Sequence, residues 1–276
     1  MPGTNISIDG RGVATLTVDN PPINLLTPEL FIEIAKAAVR LANDDGVRVV
    51  VLRSANPEWF IAHFDVEAIR LMPADQPETL PTSKDLNNFH RMCETLRTMS
   101  KPTIAVIEGR VGGGGNELAM SCDMRFGTPA AVFNQPEVAL GIIPGGSGTV
   151  RLPRLVGRSR ALEAILGCDD IDAATAERWG MINRVIEPEA IDVFVDRLVG
   201  RIAGFPPAAV AAAKASVLRA EQGVEAQLLA EGRAFTSLLG DPQTVEALAG
   251  FIHRGGQTPD GERRLGELAG EIGKPV

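Results

Sequence analysis

The sequence predicts an α/β fold with a mainly parallel sheet, continued by a helical C-terminal region. Three observations predict it. Residues 47–52 and 103–107 are short β-branched runs, apolar at nearly every position, as strands buried on both faces are. Between the strand at 13–18 and the run at 47–52 lies a stretch with helical spacing, and strand-helix-strand order favours a layered core with parallel pairing. Beyond Ile186 no strand pattern recurs, whereas alanine-rich sequence with helical periodicity does.

Taken in order, residues 13–18 (VATLTV) alternate as a strand does, and Pro21 and Pro22 end it because neither can donate to a ladder. Thr27 as N-cap and Pro28 at the first helical position open a helix with Leu30, Ile34, Ala37, Ala38 and Leu41 on one side. Residues 59–65 (WFIAHFD) lie where the strands give way to the next helical stretch. Residues 72–84 hold three prolines and no apolar periodicity, which predicts a mobile surface loop. Helix returns over 85–99, with Leu86, Phe89, Met92, Cys93 and Leu96 together. Gly167 closes a helix over 158–166, and Asp172 caps another over 173–179 that Gly180 closes. A last short strand follows at 182–186. From Pro206 onward the chain reads as helix, with Val210, Ala213, Val217, Leu228, Leu229, Phe235 and Leu238. Asp241 and Pro242 then open a helix carrying Val245, Leu248 and Ile252. This divides the chain into an α/β core over 1–200 and a helical C-terminal subdomain over 201–276.

Composition narrows the function. The 276 residues are 45% hydrophobic, enough for a sizeable core. A net charge of −8 argues against general nucleic-acid or anionic-membrane binding. The three cysteines, Cys93, Cys122 and Cys168, are far apart and form no CxxC pair, so they predict core thiols and neither a disulfide framework nor a zinc site. The N-terminus lacks a signal-peptide pattern and no apolar run is long enough to span a membrane, which predicts a cytoplasmic protein.

Function is concentrated in residues 101–151. After the strand at 103–107 come Gly112, Gly113, Gly114 and Gly115, whose bare backbone offers N–H groups to close approach. Asn116 is the predicted N-cap of a short helix that continues through Glu117, Leu118, Ala119 and Met120. Free N–H groups and the positive end of a helix dipole then meet beside the glycines, where a developing negative charge is stabilised. A tight packing turn would explain a lone glycine run, but Glu117 stands in apolar surroundings where an acid needs a reason. Glu137, in NQPEVALG, is a second single acid in front of apolar residues. Two acids with donor-rich glycine loops point to acid/base chemistry on a substrate that becomes an oxyanion.

GRVGGGGNELAMSCDMRF, followed by FNQPEVALGIIPGGSGTVRLPRLVG, resembles the signature of the enoyl-CoA hydratase/isomerase (crotonase) superfamily. The likeness fixes the glycine run, both glutamates, their spacing and the Pro-Gly-Gly turn together. It extends to NPPIN at 20–24, FIAHFD at 60–65 and Ala173, Ala176, Gly180, Met181 and Ile182, covering roughly residues 5–250. It implies a spiral of strand-strand-helix turns, although no repeat is visible in the sequence.

The resemblance also implies roles. The backbone N–H groups of Phe64 and Gly114 would form the oxyanion hole, and Glu117 and Glu137 would be catalytic. Asn24, Ala62, His63, Asp65, Gly113 and Gly145 fall at positions implied to contact substrate or coenzyme A. Many relatives carry smaller residues at 63 and 64, so His63 and Phe64 would shape the entrance for a particular acyl group. A catalytic part for His63 has little support, since nothing in the nearby sequence orients it, and His90 and His253 have less. The implied reaction hydrates a 2-enoyl-CoA thioester to a 3-hydroxyacyl-CoA in fatty-acid or related acyl-CoA degradation. Glu117 would activate the water and Glu137 exchange the Cα proton, with no metal, no resident cofactor, and coenzyme A as part of the substrate. Alternatives are a double-bond isomerase, another crotonase-type lyase or decarboxylase, or a non-catalytic binding protein, which would be expected to lose an acid. Homotrimers or homohexamers assembled through the C-terminal helices are also implied.

Overall fold

The computed structural model describes residues 3–72 and 86–272, so most of the loop expected over 72–84 lies outside the described residues. The chain opens with a hairpin, β1 (Gly3–Ile8) running antiparallel to β2 (Val13–Asp19). Next come α1 (Pro28–Asn43), β3 (Val49–Ser54), β4 (Trp59–Ile61), α2 (Val66–Arg70) and α3 (Asn88–Thr98). Thr27 caps α1 as expected, its side chain accepting from the Leu30 N–H at 3.3 Å. The central stretch forms β5 (Thr103–Ile107), β6 (Arg110–Gly112), α4 (Gly113–Met120), β7 (Met124–Gly127), β8 (Val132–Asn134) and a 3₁₀ turn, Glu137–Leu140. After it come α5 (Gly148–Val156), α6 (Arg158–Gly167), β9 (Ile171–Asp172), α7 (Ala173–Trp179) and β10 (Arg184–Val185). Helices complete the chain: α8 (Pro188–Ala203), α9 (Pro207–Leu218), α10 (Val224–Leu238), α11 (Pro242–His253), α12 (Pro259–Arg263) and α13 (Leu265–Ile272). None of the described helices is long and apolar enough to cross a membrane.

Strands β1-β2-β3-β5-β7-β10 make one sheet, parallel from β2 onward. A second sheet, β4-β6-β8-β9, is parallel except for β9. From β3 to β8 successive strands alternate between the sheets, and the pairs β3–β4, β5–β6 and β7–β8 are each followed by helical structure. This is a strand-strand-helix repeat. It is invisible in the sequence because β4, β6 and β8 are three residues long, too short for a period to register.

The continuous apolar run in β3 follows from burial on both faces. Val50 and Leu52 join Leu16, Ile34, Ile61, Leu118 and Phe133 in the main core. Val49 and Val51 face the other way, packing with Val13, Ile104 and Phe126 against Ile191, Val195 and Val199 of α8. The C-terminal helices share a third cluster with the body: Leu239, Leu248, Phe251, Leu265 and Leu268 pack on Val66, Ile69, Leu140 and Ile142. Phe251 is wholly buried there, and its truncation to alanine would cost about 3–5 kcal/mol. The stripe at Leu248 and Phe251 therefore packs on its own chain, while Val245 stays 51% exposed.

One boundary differs from the sequence reading in a way that bears on the site. Helix α4 starts at Gly113 with Gly112 at its N-cap, so Gly113, Gly114 and Gly115 form the first helical turn and Asn116 is not the cap. Packing overrides glycine's poor helix propensity. A Cβ on Gly115 would lie 2.5 Å from the Ile61 carbonyl oxygen and 2.8 Å from the Ile61 Cβ, so only a residue without one lets α4 approach β4 this closely.

Candidate active site

Two backbone segments meet at the mouth of α4. The Leu26 N–H donates to His63 O at 2.9 Å and the Asp65 N–H donates to Leu26 O at 3.1 Å, a parallel bridge that turns the Phe64 N–H away from Leu26. Gly114 is the second residue of α4, where N–H groups have no intrahelical acceptor and no side chain caps them. A Cβ on Gly114 would lie 3.4 Å from the Phe64 Cβ, which shows how close the two segments come.

Glu117 follows Gly114 by three residues on α4 and so presents to the same side. It is buried, and its Oε1 accepts the N–H groups of Gly146 at 2.9 Å and Gly148 at 2.6 Å. Glu137 starts the 3₁₀ turn and is buried as well, with Gln135 Nε2 at 3.4 and 3.3 Å from its two oxygens. Gln135 is held in turn by Asn116 Nδ2, which donates to Gln135 Oε1 at 2.9 Å. Both carboxylates, Phe64, Gly113, Gly114 and Gly145 line one cavity of about 410 Å³. The rest of its wall is mainly apolar, including a cluster of Phe31, Phe64 and Phe89 in which Phe31 and Phe89 stack at 5.7 Å.

The surroundings raise the proton affinity of both acids. Burial, then the charges of Glu137 and Glu231, raise Glu117 well above the ordinary carboxylate range, against the pull of the Gly148 and Gly146 N–H groups. Burial raises Glu137 to about 7, against its own N–H, the His63 charge and the Gln135 amide. Two carboxylates of raised proton affinity beside one cavity suit a site that both gives and takes protons.

His63 also lines the cavity, and contrary to the sequence reading it is oriented. Its Nε2 lies 3.0 Å from Glu262 Oε1 on α12 and its Nδ1 lies 2.8 Å from Phe64 O. Burial alone would lower its pKa, but the Glu262 charge and hydrogen bond outweigh burial and raise it. Glu262 responds in kind: burial opposes ionisation, yet His63 and the Gln257 N–H hold it below its usual range.

Three of the predicted contact residues do not line this cavity. Asn24 is fully buried and its side chain is committed elsewhere: Nδ2 donates to Ser54 Oγ at 2.6 Å, Trp59 O at 3.1 Å and Phe60 O at 3.2 Å, and Oδ1 accepts from the Asn20 N–H. It fixes the approach to β4. Ala62 is buried, and its carbonyl oxygen lies 2.6 Å from where a Gly112 Cβ would stand. Asp65 caps α2 by accepting the Glu67 N–H at 3.0 Å.

Sequence reasoning missed Glu231, Glu262 and the setting of His90. His90 Nε2 lies 3.1 Å from Glu231 Oε1, with both side chains buried. The one local signal was Glu231 standing three residues after Leu228, an acid on the buried face of α10.

The family model for enoyl-CoA hydratase/isomerase matches residues 9–258, and the chain belongs to this family. A short-chain-enoyl-CoA hydratase of Clostridium acetobutylicum is 32% identical over 253 residues, covering 91% of this chain and 95% of that one. A crotonyl-CoA hydratase of Syntrophomonas wolfei is 31% identical over 244 residues, covering 88% and 92%. Among solved structures, a Streptomyces avermitilis protein superposes with a TM-score of 0.87 at 35% identity, over 99% of this chain and 98% of that one. An enoyl-CoA hydratase of Mycobacterium avium subsp. paratuberculosis K-10 gives 0.79 at 25% identity, over 91% and 96%.

Proposed function

We propose that the chain hydrates 2-enoyl-CoA thioesters to 3-hydroxyacyl-CoA products, as a step of acyl-CoA degradation. The observation that carries this reading is the pair of buried acids, Glu117 and Glu137, lining the same cavity as Phe64 and Gly114. The thioester carbonyl oxygen accepts the N–H groups of Phe64 and Gly114, and attack at Cβ pushes negative charge onto it. The site has to hold one ionised and one protonated carboxyl, and two buried neighbours that share a proton provide both. Glu117, gripped through Oε1, keeps Oε2 for the water and takes its proton as hydroxide adds to Cβ. Glu137 delivers a proton to Cα. Coenzyme A enters as part of the substrate, so no resident cofactor is called for.

An isomerase needs one base that moves a proton between carbons, and the presence of two acids at one cavity favours hydration. The test is the loss of enoyl-thioester absorbance with short, medium and aromatic 2-enoyl-CoAs. Hydration of at least one of these supports the reading. Turnover of 3-enoyl-CoA without hydration would replace it with isomerisation. We further propose a homotrimer or homohexamer, which draws support from α9, an apolar helix that buries no residue in the isolated chain and leaves Val217 72% exposed. A monomer mass by light scattering at micromolar concentration would refute that assembly.

A further inference from the structure

We propose that Glu231 on α10 is a positioning residue that, together with His90, holds the backbone of residues 146–149 in the conformation that grips Glu117. The proposal rests on the reading of Glu117 as an acid/base group. Its basis is the way four successive amides are shared. The N–H groups of Gly146 and Gly148 donate to Glu117 Oε1, at 2.9 and 2.6 Å. Those of Ser147 and Thr149 point the other way and donate to Glu231, at 2.6 Å to Oε1 and 2.9 Å to Oε2. The Thr149 hydroxyl also donates to Glu231 Oε2, and His90 Nε2 lies 3.1 Å from Oε1. Two buried carboxylates thus grip one stretch of backbone from opposite sides.

That stretch needs holding. Ser147 has φ +106 and ψ 5, a left-handed region that a residue with a side chain rarely adopts and that persists only where the surroundings over-determine it. Ser147 does not cap α5 with its own side chain; its Oγ accepts from Arg151 Nε at 2.7 Å, and Glu231 instead accepts the Ser147 and Thr149 amides at the N-terminus of α5. Glu231 is 4% exposed and does not line the cavity, so it touches none of the reacting atoms and bears on position through the backbone it holds. Its charge also helps to raise the proton affinity of Glu117, which ties the same residue to the protonation as well as the position of that acid.

The experiment compares the parent with Glu231→Gln, which replaces one acceptor oxygen by an N–H donor facing the backbone donors. Turnover on a 2-enoyl-CoA and amide hydrogen exchange at Gly146 and Gly148, read by NMR, are measured on folded protein. We expect kcat to fall about tenfold to a hundredfold with KM changed by less than about threefold, and both amides to exchange faster. A purely structural role would lower the melting temperature while leaving kcat per folded molecule and the two amides at parent values, and that result overturns the proposal. A fall in kcat with unchanged exchange also overturns it, because the action would then not pass through position. If Glu231→Gln does not fold, Thr149→Val, which removes only the hydroxyl donor, decides on the same two readouts. Faster exchange in a protein whose parent hydrates no enoyl-CoA would sink the hydratase reading and leave the grip on Glu117 supported, since exchange requires no substrate.

Discussion

A single methyl at Gly146 tests the placement of Glu117 most directly. A Cβ there would stand 2.5 Å from Glu117 Oε2 and 2.5 Å from Phe89 Cε1. The backbone of Gly146 is not in the left-handed region, so alanine is conformationally admissible and the perturbation is one of space. Heavy atoms in contact prefer about 3.5 Å, so the methyl has to move both the carboxylate and the ring by about 1 Å. A displacement of that size at a reacting group costs roughly a hundredfold in rate, or about 2.7 kcal/mol of barrier. Overpacking separately costs about 1–3 kcal/mol of stability, so kcat has to be expressed per folded molecule from a circular-dichroism melt. Gly167→Ala is the control: it sits in α6 with nothing within 4 Å of the added Cβ, and should gain about 0.5–1 kcal/mol of stability at parent turnover. Should Gly146→Ala hydrate enoyl-CoA within about twofold of the parent, Glu117 Oε2 is not the atom that handles the water.

Glu117→Gln and Glu137→Gln should each lower kcat by about 10²–10⁴, and the double variant by little more than the worse single one, because the two act as a unit in one addition; additive losses in steady-state kinetics would contradict a shared role. Glu137→Gln should also stabilise the protein in a pH-dependent way. Its folded pKa, about 7, lies above the unfolded value of 4.5, so the parent loses stability as pH rises between them, by on the order of 3 kcal/mol. The variant should therefore melt higher than the parent at pH 8 and equally at pH 4, and a gain independent of pH would show that burial does not hold the proton. Gly114→Val, whose Cβ would press within 3.3 Å of Phe89 Cζ and 3.4 Å of Phe64 Cβ, should cost about a hundredfold or more in kcat while coenzyme A still binds, as measured by calorimetry. Gly112→Ala is no neutral companion to it, since its Cβ would stand 2.6 Å from Ala62 O and push apart β4 and β6.

What the sequence made legible was what rests on local chemistry. Thr27 with Pro28, Asp172 with Gly180, and Asp241 with Pro242 mark helix ends through caps and fixed φ, and the structure keeps all three. The runs in β3 and β5 were legible because both faces are buried. Other elements carried no such mark. Strand β1 is mostly half-buried to exposed and so shows no apolar alternation, and β6, β8 and β9 are two or three residues long. The start of α4 was misplaced because propensity puts glycine outside helices, while the contact with Ile61 that demands glycine there lies more than fifty residues back in sequence.

The same distinction separates the two halves of the site. Glu117, Glu137 and the glycines sit within one stretch, and their isolation among apolar residues betrays them. Glu231 and Glu262 each share a helix with other charged residues, among which an acid is an ordinary solvated side chain until the fold turns it inward. Their partners lie 84 residues away for Ser147 and 199 for His63. A buried carboxylate is tolerated only where donors satisfy it: Glu231 accepts the Ser147 and Thr149 N–H groups, which alternate with those that grip Glu117, and Glu262 pairs with His63 next to Phe64. The C-terminal helices are therefore part of the site as well as its cover: α10 braces the backbone that grips Glu117, and α12 braces the histidine next to Phe64.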